Sequence, residues 1–308
     1  MTEPLRLAVA GLGRMGAIHA LHVHELQRDT GACELAALAE PETERARRFL
    51  AETGRDVPVF SSVDELAKSG ICQATVIVTP TEDHRAHATA LIKAGHRVML
   101  EKPLTGDLDS DREFAAELDR EHPDALMLAF QRRFDEPLLY AKKLMESGAI
   151  GRVFKIFSAM EDSNPAPNGY KSGGLLPDMS VHNVDEILWL ANRTPTKALA
   201  IGSRLYSHAL TTCEEDFDDA SLYLWFGDDL LGQIQVGRNH VSRISRRDDF
   251  VRRERAYSCR AFRPEAVRNY SGSIRAARAE GADRKEDVFN ARLSSPFARI
   301  RGSIRTGV

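Results

Sequence analysis

Three sets of residues in this chain have the types and spacings that chemistry needs. Gly11, Gly13 and Gly16 form a GxGxxG array, Lys102 stands between Glu101 and Pro103, and Asp178 and His182 lie four residues apart ahead of an apolar helical stretch. A histidine is the usual side chain for taking a hydroxyl proton near neutral pH, and a lysine ammonium favours the negative charge that develops on the same oxygen. A carboxylate one helical turn away can orient the imidazole or hold a neighbouring hydroxyl. The glycines answer a different demand. Gly11 lets the chain turn tightly off a strand, Gly13 removes a side chain where a pyrophosphate must approach the backbone, and Gly16 lets the next helix pack on the strand. Arg14 and Met15 open that helix, whose free N–H groups would face the phosphates. A dinucleotide beside a proton-accepting histidine is the equipment for moving a hydride to or from a secondary alcohol. The bland alternative makes Asp178 a helix N-cap and His182 a first-turn surface residue.

Those groups need a frame, and the apolar runs supply one. A strand starting at Leu5 ends at the glycines, and Met15, Ile18, Leu21 and Leu26 then recur at helical spacing over residues 14–27. Further strands are expected at 34–39, 74–78, 97–100 and 125–130, with helices at 43–52, 63–69 and 108–120; the continuous run at 74–78 suits a parallel strand covered on both faces. In a doubly wound sheet the carboxyl ends of the strands line the ligand crevice, which places Glu40, Thr79, Pro80, Thr81, His84, Glu101 and Lys102 against a dinucleotide. Glu40 has the charge and position to accept hydrogen bonds from ribose hydroxyls and to repel a 2'-phosphate, so NAD is expected; Arg14 and Arg45 keep NADP open, and the plain reading of Glu40 is a helix cap. Pro103 pushes Lys102 toward an extended conformation. His19 and His22 could face the same way, but no further ligands converge on them. They read as partly exposed helix residues, and no metal is expected.

From residue 131 the pattern changes to longer strands, at 153–160, at 198–206 and in a hairpin of 222–226 with 232–237 around Gly227-Asp228. The expected fold is α/β: a Rossmann domain over residues 1–130 with a doubly wound parallel sheet, followed by an α+β domain over residues 131–308 with a largely antiparallel open sheet. A chain of 308 residues, 43% hydrophobic and 28% charged, is long enough for two globular domains. It has no run of eighteen apolar residues and no basic, apolar leader, so a cytoplasmic protein without a membrane partner is expected. Cys33, Cys72, Cys213 and Cys259 form no CxxC and read as free thiols.

Gly11-Leu12-Gly13-Arg14-Met15-Gly16, Thr79-Pro80-Thr81 with His84, Glu101-Lys102-Pro103, Arg133-Phe134, and Gly173-Gly174 followed by Asp178, His182 and Asp185 together resemble the glucose-fructose oxidoreductase and inositol dehydrogenase family, Gfo/Idh/MocA, from residue 5 to about 241. The resemblance implies an NAD(P)-dependent oxidoreductase acting on a sugar or cyclitol, a homo-oligomer (dimer or tetramer), with Lys102, Asp178 and His182 at the reacting carbon. Arg133, Tyr170, Lys171, Asn183 and Asp185 are the further expected contacts. Two other classes are alternatives: an NAD-dependent glycosidase of the same fold, and a ligand-sensing regulator without turnover, against which the joint retention of Lys102, Asp178 and His182 argues.

Beyond about Val241 the resemblance stops. Residues 243–308 carry 16 Arg, one Lys and one Leu, and a net charge of +9 in a chain whose total is -3. Too few apolar residues remain there for a core-forming segment. The expectation is that a frameshift near residue 242 replaced the native end. The competing reading is a basic tail for a nucleic acid or another acidic partner, and a nucleic acid is not expected.

Overall fold

The computed structural model describes residues 3–162, 173–205 and 216–238 with their side chains, and the backbone of strands at 245–252, 256–260 and 268–269. Tyr170 and Lys171 lie outside the described residues. The chain forms two compact units that meet in sequence between Phe130 and Gln131.

In the first unit β1 (Leu5–Ala10) leads through the glycine turn into α1 (Arg14–Thr30). Strands and helices then alternate through β2 (Cys33–Ala39), α2 (Thr43–Thr53), β3 (Val59–Phe60), α3 (Val63–Ser69), β4 (Ala74–Ile77), α4 (His84–Lys93), β5 (Arg97–Leu100), α5 (Leu108–Glu121) and β6 (Leu126–Leu128). The sheet order is β3-β2-β1-β4-β5-β6, with every pair parallel. Strands covered on both faces read as unbroken apolar runs, and Ala74–Ile77 is buried at every position. One face packs on α1 and α2 through Ala20, Val23, Ala46 and Phe49. The other packs on α3, α4 and α5 through Leu66, Leu91 and Phe114. The strand order reverses between β1 and β4, so the connections leaving those two strands diverge and open a crevice at their carboxyl ends.

The second unit opens with a 3-10 turn, Gln131–Phe134, and continues through α6 (Glu136–Glu146), β7 (Val153–Glu161), α7 (Val181–Ala191), β8 (Lys197–Ser203), β9 (Asp219–Trp225) and β10 (Leu231–Gly237). Three strands from the arginine-rich end follow: β11 (Ser245–Arg252), β12 (Ala256–Arg260) and β13 (Arg268–Asn269). The sheet order is β13-β12-β11-β7-β10-β9-β8, antiparallel throughout except for β7 against β10. The sheet therefore runs past residue 241, where the sequence resemblance was expected to stop. One face carries Ile156, Ala220, Leu224, Ile234 and Val236, packed with Ile187 and Leu190 of α7. The helix comes closest at Gly232, where a Cβ would lie 2.8 Å from Ile187 Cγ2. On the other face Leu199 stands opposite Tyr223 and Ile201 opposite Ser221, with Leu199 and Ile201 45% and 55% exposed. The sheet is open on that side. Among the described residues no helix is long and apolar enough to cross a membrane.

Candidate active site

The glycine turn is built by the protein at two positions and left clear at the third. Gly11 has φ +89°, and a Cβ there would lie 2.6 Å from Val78 O; a Cβ on Gly16 would lie 1.8 Å from Gly11 O. Gly13 is different: a Cβ there meets nothing within 4 Å. It is the N-cap of α1 and offers that helix no side-chain cap, and the first turn carries no acidic residue. An open space beside uncapped helix N–H groups fits a pyrophosphate.

Glu40, at the end of β2, is tied into this turn. Its Oε2 accepts from Leu12 N (2.7 Å), and its Oε1 accepts from Glu42 N (2.9 Å) and Arg45 Nη1 (3.1 Å). The side chain is 1% exposed. α2 begins at Thr43 with Glu42 as its N-cap, so Glu40 is not the cap of that helix; it braces the loop that follows β1.

The loops after β4 and β5 are joined by a histidine. His84 is buried, with Nδ1 2.8 Å from Pro103 O and Nε2 3.0 Å from Thr79 O. A neutral ring donates to only one of these carbonyls at a time. His84 is thus a strut between the Thr79-Pro80-Thr81 turn and the Glu101-Lys102-Pro103 loop, and what it gives a cofactor passes through the loops it joins. Thr79 Oγ1 pairs with His87 Nδ1 (3.0 Å), and Thr81 starts a 3-10 turn ahead of α4. Glu101 reaches back to α1, its Oε1 2.8 Å from His19 Nε2, while its Oε2 accepts from Lys102 N (3.1 Å). The Lys102–Pro103 peptide bond is cis. His19 and His22 are buried rather than partly exposed; burial, helped by the charge of His19, lowers the His22 imidazole to about 4.

In the second unit Leu176–Ser180 forms a π-turn that runs directly into α7. Single π-turns inside helices recur at functional sites. Asp178 lies inside this helical run rather than capping it, and His182 follows one turn later, which is the condition under which the two share a side of the helix. Asp178 N donates to Gly174 O (3.1 Å), and Gly174 has φ +101° with a Cβ position 2.7 Å from Asp216 Oδ1. That carboxylate oxygen accepts from Leu175 N (2.6 Å) and Phe217 N (2.8 Å). Arg238, directly after β10, donates to Asp178 Oδ2 at 3.2 Å and to Asp216 Oδ2 at 3.4 Å.

The 3-10 turn anchors α7 through consecutive arginines. Arg132 Nη1 donates to Glu186 Oε2 (2.8 Å), with side chains 5% and 0% exposed. Arg133 forks onto both oxygens of Asp185, its Nε 2.9 Å from Oδ2. Burial pushes the Asp185 carboxyl above the usual carboxylate range, and Arg133 opposes the shift. Asn183, expected to touch substrate, is fully buried, and its Nδ2 donates to Ser158 Oγ (2.7 Å) on β7. It shares the apolar stripe of Ile187 and Leu190, spaced four and seven residues on, and so faces the sheet. Asp216, Arg238, Arg132 and the His19–Glu101 bond were missed in the sequence; the one available signal was Glu186, a charge beside Ile187 on an apolar helix.

Residues 5–130 match the model of an oxidoreductase family with an NAD-binding Rossmann fold, Gfo/Idh/MocA, and residues 138–250 match that of the family's C-terminal domain. The chain is 31% identical over 236 residues to a myo-inositol dehydrogenase of Streptomyces leeuwenhoekii, a match covering 76% of this chain and 70% of that one. It is 29% identical over 240 residues to a scyllo-inositol 2-dehydrogenase (NAD(+)) of Bacillus subtilis, covering 77% and 68%. It spans little more than half the length of other curated relatives. Among solved structures, the apo scyllo-inositol dehydrogenase from Lactobacillus casei superposes with a TM-score of 0.80 at 25% identity, over 99% of this chain and 89% of that one. Rossmann unit, glycine turn and C-terminal sheet agree with these matches, and the chain belongs to the Gfo/Idh/MocA oxidoreductase family.

Proposed function

We propose that this chain is a nicotinamide-dependent dehydrogenase that oxidises a secondary alcohol of an inositol-type cyclitol or a sugar. The observation that carries the reading is the local fit of its working parts: clear space at Gly13, Lys102 on a loop braced by Glu101 and His84, and Asp178 and His182 on successive turns of one helical run. The names of the relatives favour the cyclitol. When bound, the nicotinamide supplies the hydride acceptor. His182 takes the hydroxyl proton, Lys102 holds the same oxygen as negative charge develops on it, and Asp178 orients the imidazole or holds a neighbouring hydroxyl. Arg133 and Asp185, paired with each other, are the further substrate contacts of this reading. We assign NAD as the preferred cofactor, because the negative charge of Glu40 at the end of β2 disfavours a 2'-phosphate; Arg45, paired with Glu40, tempers that charge and allows weaker use of NADP.

The test is a screen of inositols and sugars with NAD and NADP, read as absorbance of the reduced nicotinamide. Turnover of a cyclitol with NAD is expected. His182→Ala should lower kcat by about 100-fold or more with NADH affinity unchanged, and Lys102→Ala should lower turnover too. If both variants keep nearly full activity on a substrate the parent accepts, the assignment is wrong.

The reading includes a cytoplasmic homo-oligomer, a dimer or tetramer, whose contact is the open sheet face bearing Leu199, Ile201 and Tyr223. Ile201→Glu should then reduce the mass measured by light scattering, and an unchanged mass would remove that face from the interface. The break expected near residue 242 is not kept, because the match to the family's C-terminal domain continues to residue 250; the reading keeps a frameshift beyond that point, for residues 251–308. Expression in the adjacent frame should give an end with alternating apolar strands and few arginines, and an adjacent frame without them overturns it.

A further inference from the structure

Arg238 is held where few arginines are found, its side chain 4% exposed, with Asp178 (16%) on one side and Asp216 (2%) on the other. Three separate elements meet here: the π-turn, the segment entering β9 and the end of β10. Asp216 is itself fixed to backbone, through Leu175 N and Phe217 N, and Arg238 N donates to Asp218 O at 2.9 Å. A buried guanidinium bonded to two carboxylates keeps both in place, whereas its removal takes away the cation shared by buried Asp216 and half-buried Asp178. We infer that Arg238 is a positioning residue for Asp178, tying the carboxylate of the π-turn to the backbone-anchored Asp216 so that it meets substrate or His182 in one orientation. The inference rests on the dehydrogenase reading for its catalytic consequence, but not for the pairing itself.

Two measurements on the full chain separate those parts. The first is thermal melting of the parent, Arg238→Met, Asp178→Asn and the double variant. Asp178→Asn should lower the midpoint in the parent, where it removes an ion-pair partner, and raise it beside Arg238→Met, where it removes one of the two carboxylates whose shared cation is gone. Equal shifts in the two backgrounds overturn the clamp, and this readout needs no substrate. If no inositol or sugar is oxidised by the parent, the functional reading fails while the melting cycle still decides the pairing. The second is kinetics with the cyclitol that the parent accepts. Arg238→Met should lose about 30-fold or more in kcat, because small misplacements of a working group cost on the order of 100-fold, with NADH affinity within about twofold of the parent. Arg238→Lys, which keeps the charge but not the fork, should recover part of the loss; should Arg238→Met fail to fold, Arg238→Gln, also uncharged, takes its place in both measurements. Turnover of Arg238→Met within about threefold of the parent overturns the positioning role.

Discussion

Alanine at each glycine of the first turn separates what the fold needs from what the ligand needs. At Gly16 the added methyl would sit 1.8 Å from Gly11 O, a backbone atom that cannot swing aside, so the helix or the turn must move. Overpacking of this kind costs about 3 kcal/mol. At Gly11 the left-handed φ of +89° alone costs about 1–2 kcal/mol, before the 2.6 Å approach to Val78 O. Gly13 has φ -61° and ψ -175°, ordinary values for alanine, and no protein atom within 4 Å of the new methyl. The weaker N-cap and the stiffer unfolded chain roughly cancel there, leaving a stability change within about 1 kcal/mol. If the open space is the path of the pyrophosphate, that same methyl obstructs it. Gly13→Ala should then bind NADH at least about tenfold more weakly, or about 1.4 kcal/mol. Urea denaturation reads the first quantity and calorimetric NADH titration the second. Gly13→Ala with parental NADH affinity, or with the instability of Gly16→Ala, refutes the reasoning.

Three further outcomes are expected. Glu40→Ser removes a buried carboxylate that accepts from Leu12 N and Glu42 N; it should weaken NAD and narrow the gap to NADP by about 1–3 kcal/mol, and an unchanged ratio of the two dissociation constants removes Glu40 from the site. Arg132→Met leaves Glu186 buried without its arginine and should cost about 3–5 kcal/mol in denaturant unfolding; a loss under about 1 kcal/mol contradicts it. His22 is lowered from 6.5 to about 4 in the folded protein, so the unfolded chain binds the extra proton first. Stability from this group is full above pH 6.5 and falls as the pH drops toward 4, by at most about 3 kcal/mol. His22→Gln should flatten that part of the stability profile, and an unaltered slope would assign it to other groups.

The parallel sheet was legible because burial on both faces leaves runs such as Ala74–Ile77 with no polar alternation, and the glycine turn because only glycine fits at Gly11 and Gly16. Strand β3 escaped, since two residues, Val59 and Phe60, carry no period. The helix after the glycines ran three residues beyond its expected end at Gln27, through polar Arg28, Asp29 and Thr30 to the left-handed Gly31, where apolar spacing is silent. At the site, Lys102, Asp178 and His182 stood out by type and spacing. Their supports did not, because His19 and Glu101 are 82 residues apart and Arg238 and Asp178 are 60 apart; such bonds exist only after the chain has folded. Asn183 was expected among the substrate contacts; its place on the stripe of Ile187 and Leu190 turns its Nδ2 toward Ser158, a direction the spacing of four and seven residues carries.

Gly232 has no side chain, no charge and no bond to any catalytic group, yet it sets the height of α7 above the sheet. Ile187 rests where its Cβ would be, and His182 lies on the same helix, five residues earlier. Any larger residue at 232 acts as a shim, lifting the helix by some tenths of an ångström and carrying the imidazole with it. A strand residue on the far side of the packing layer therefore works as the depth gauge of His182, and drift at this one position would shift the imidazole with the helix, the sheet and every hydrogen-bonding group still present.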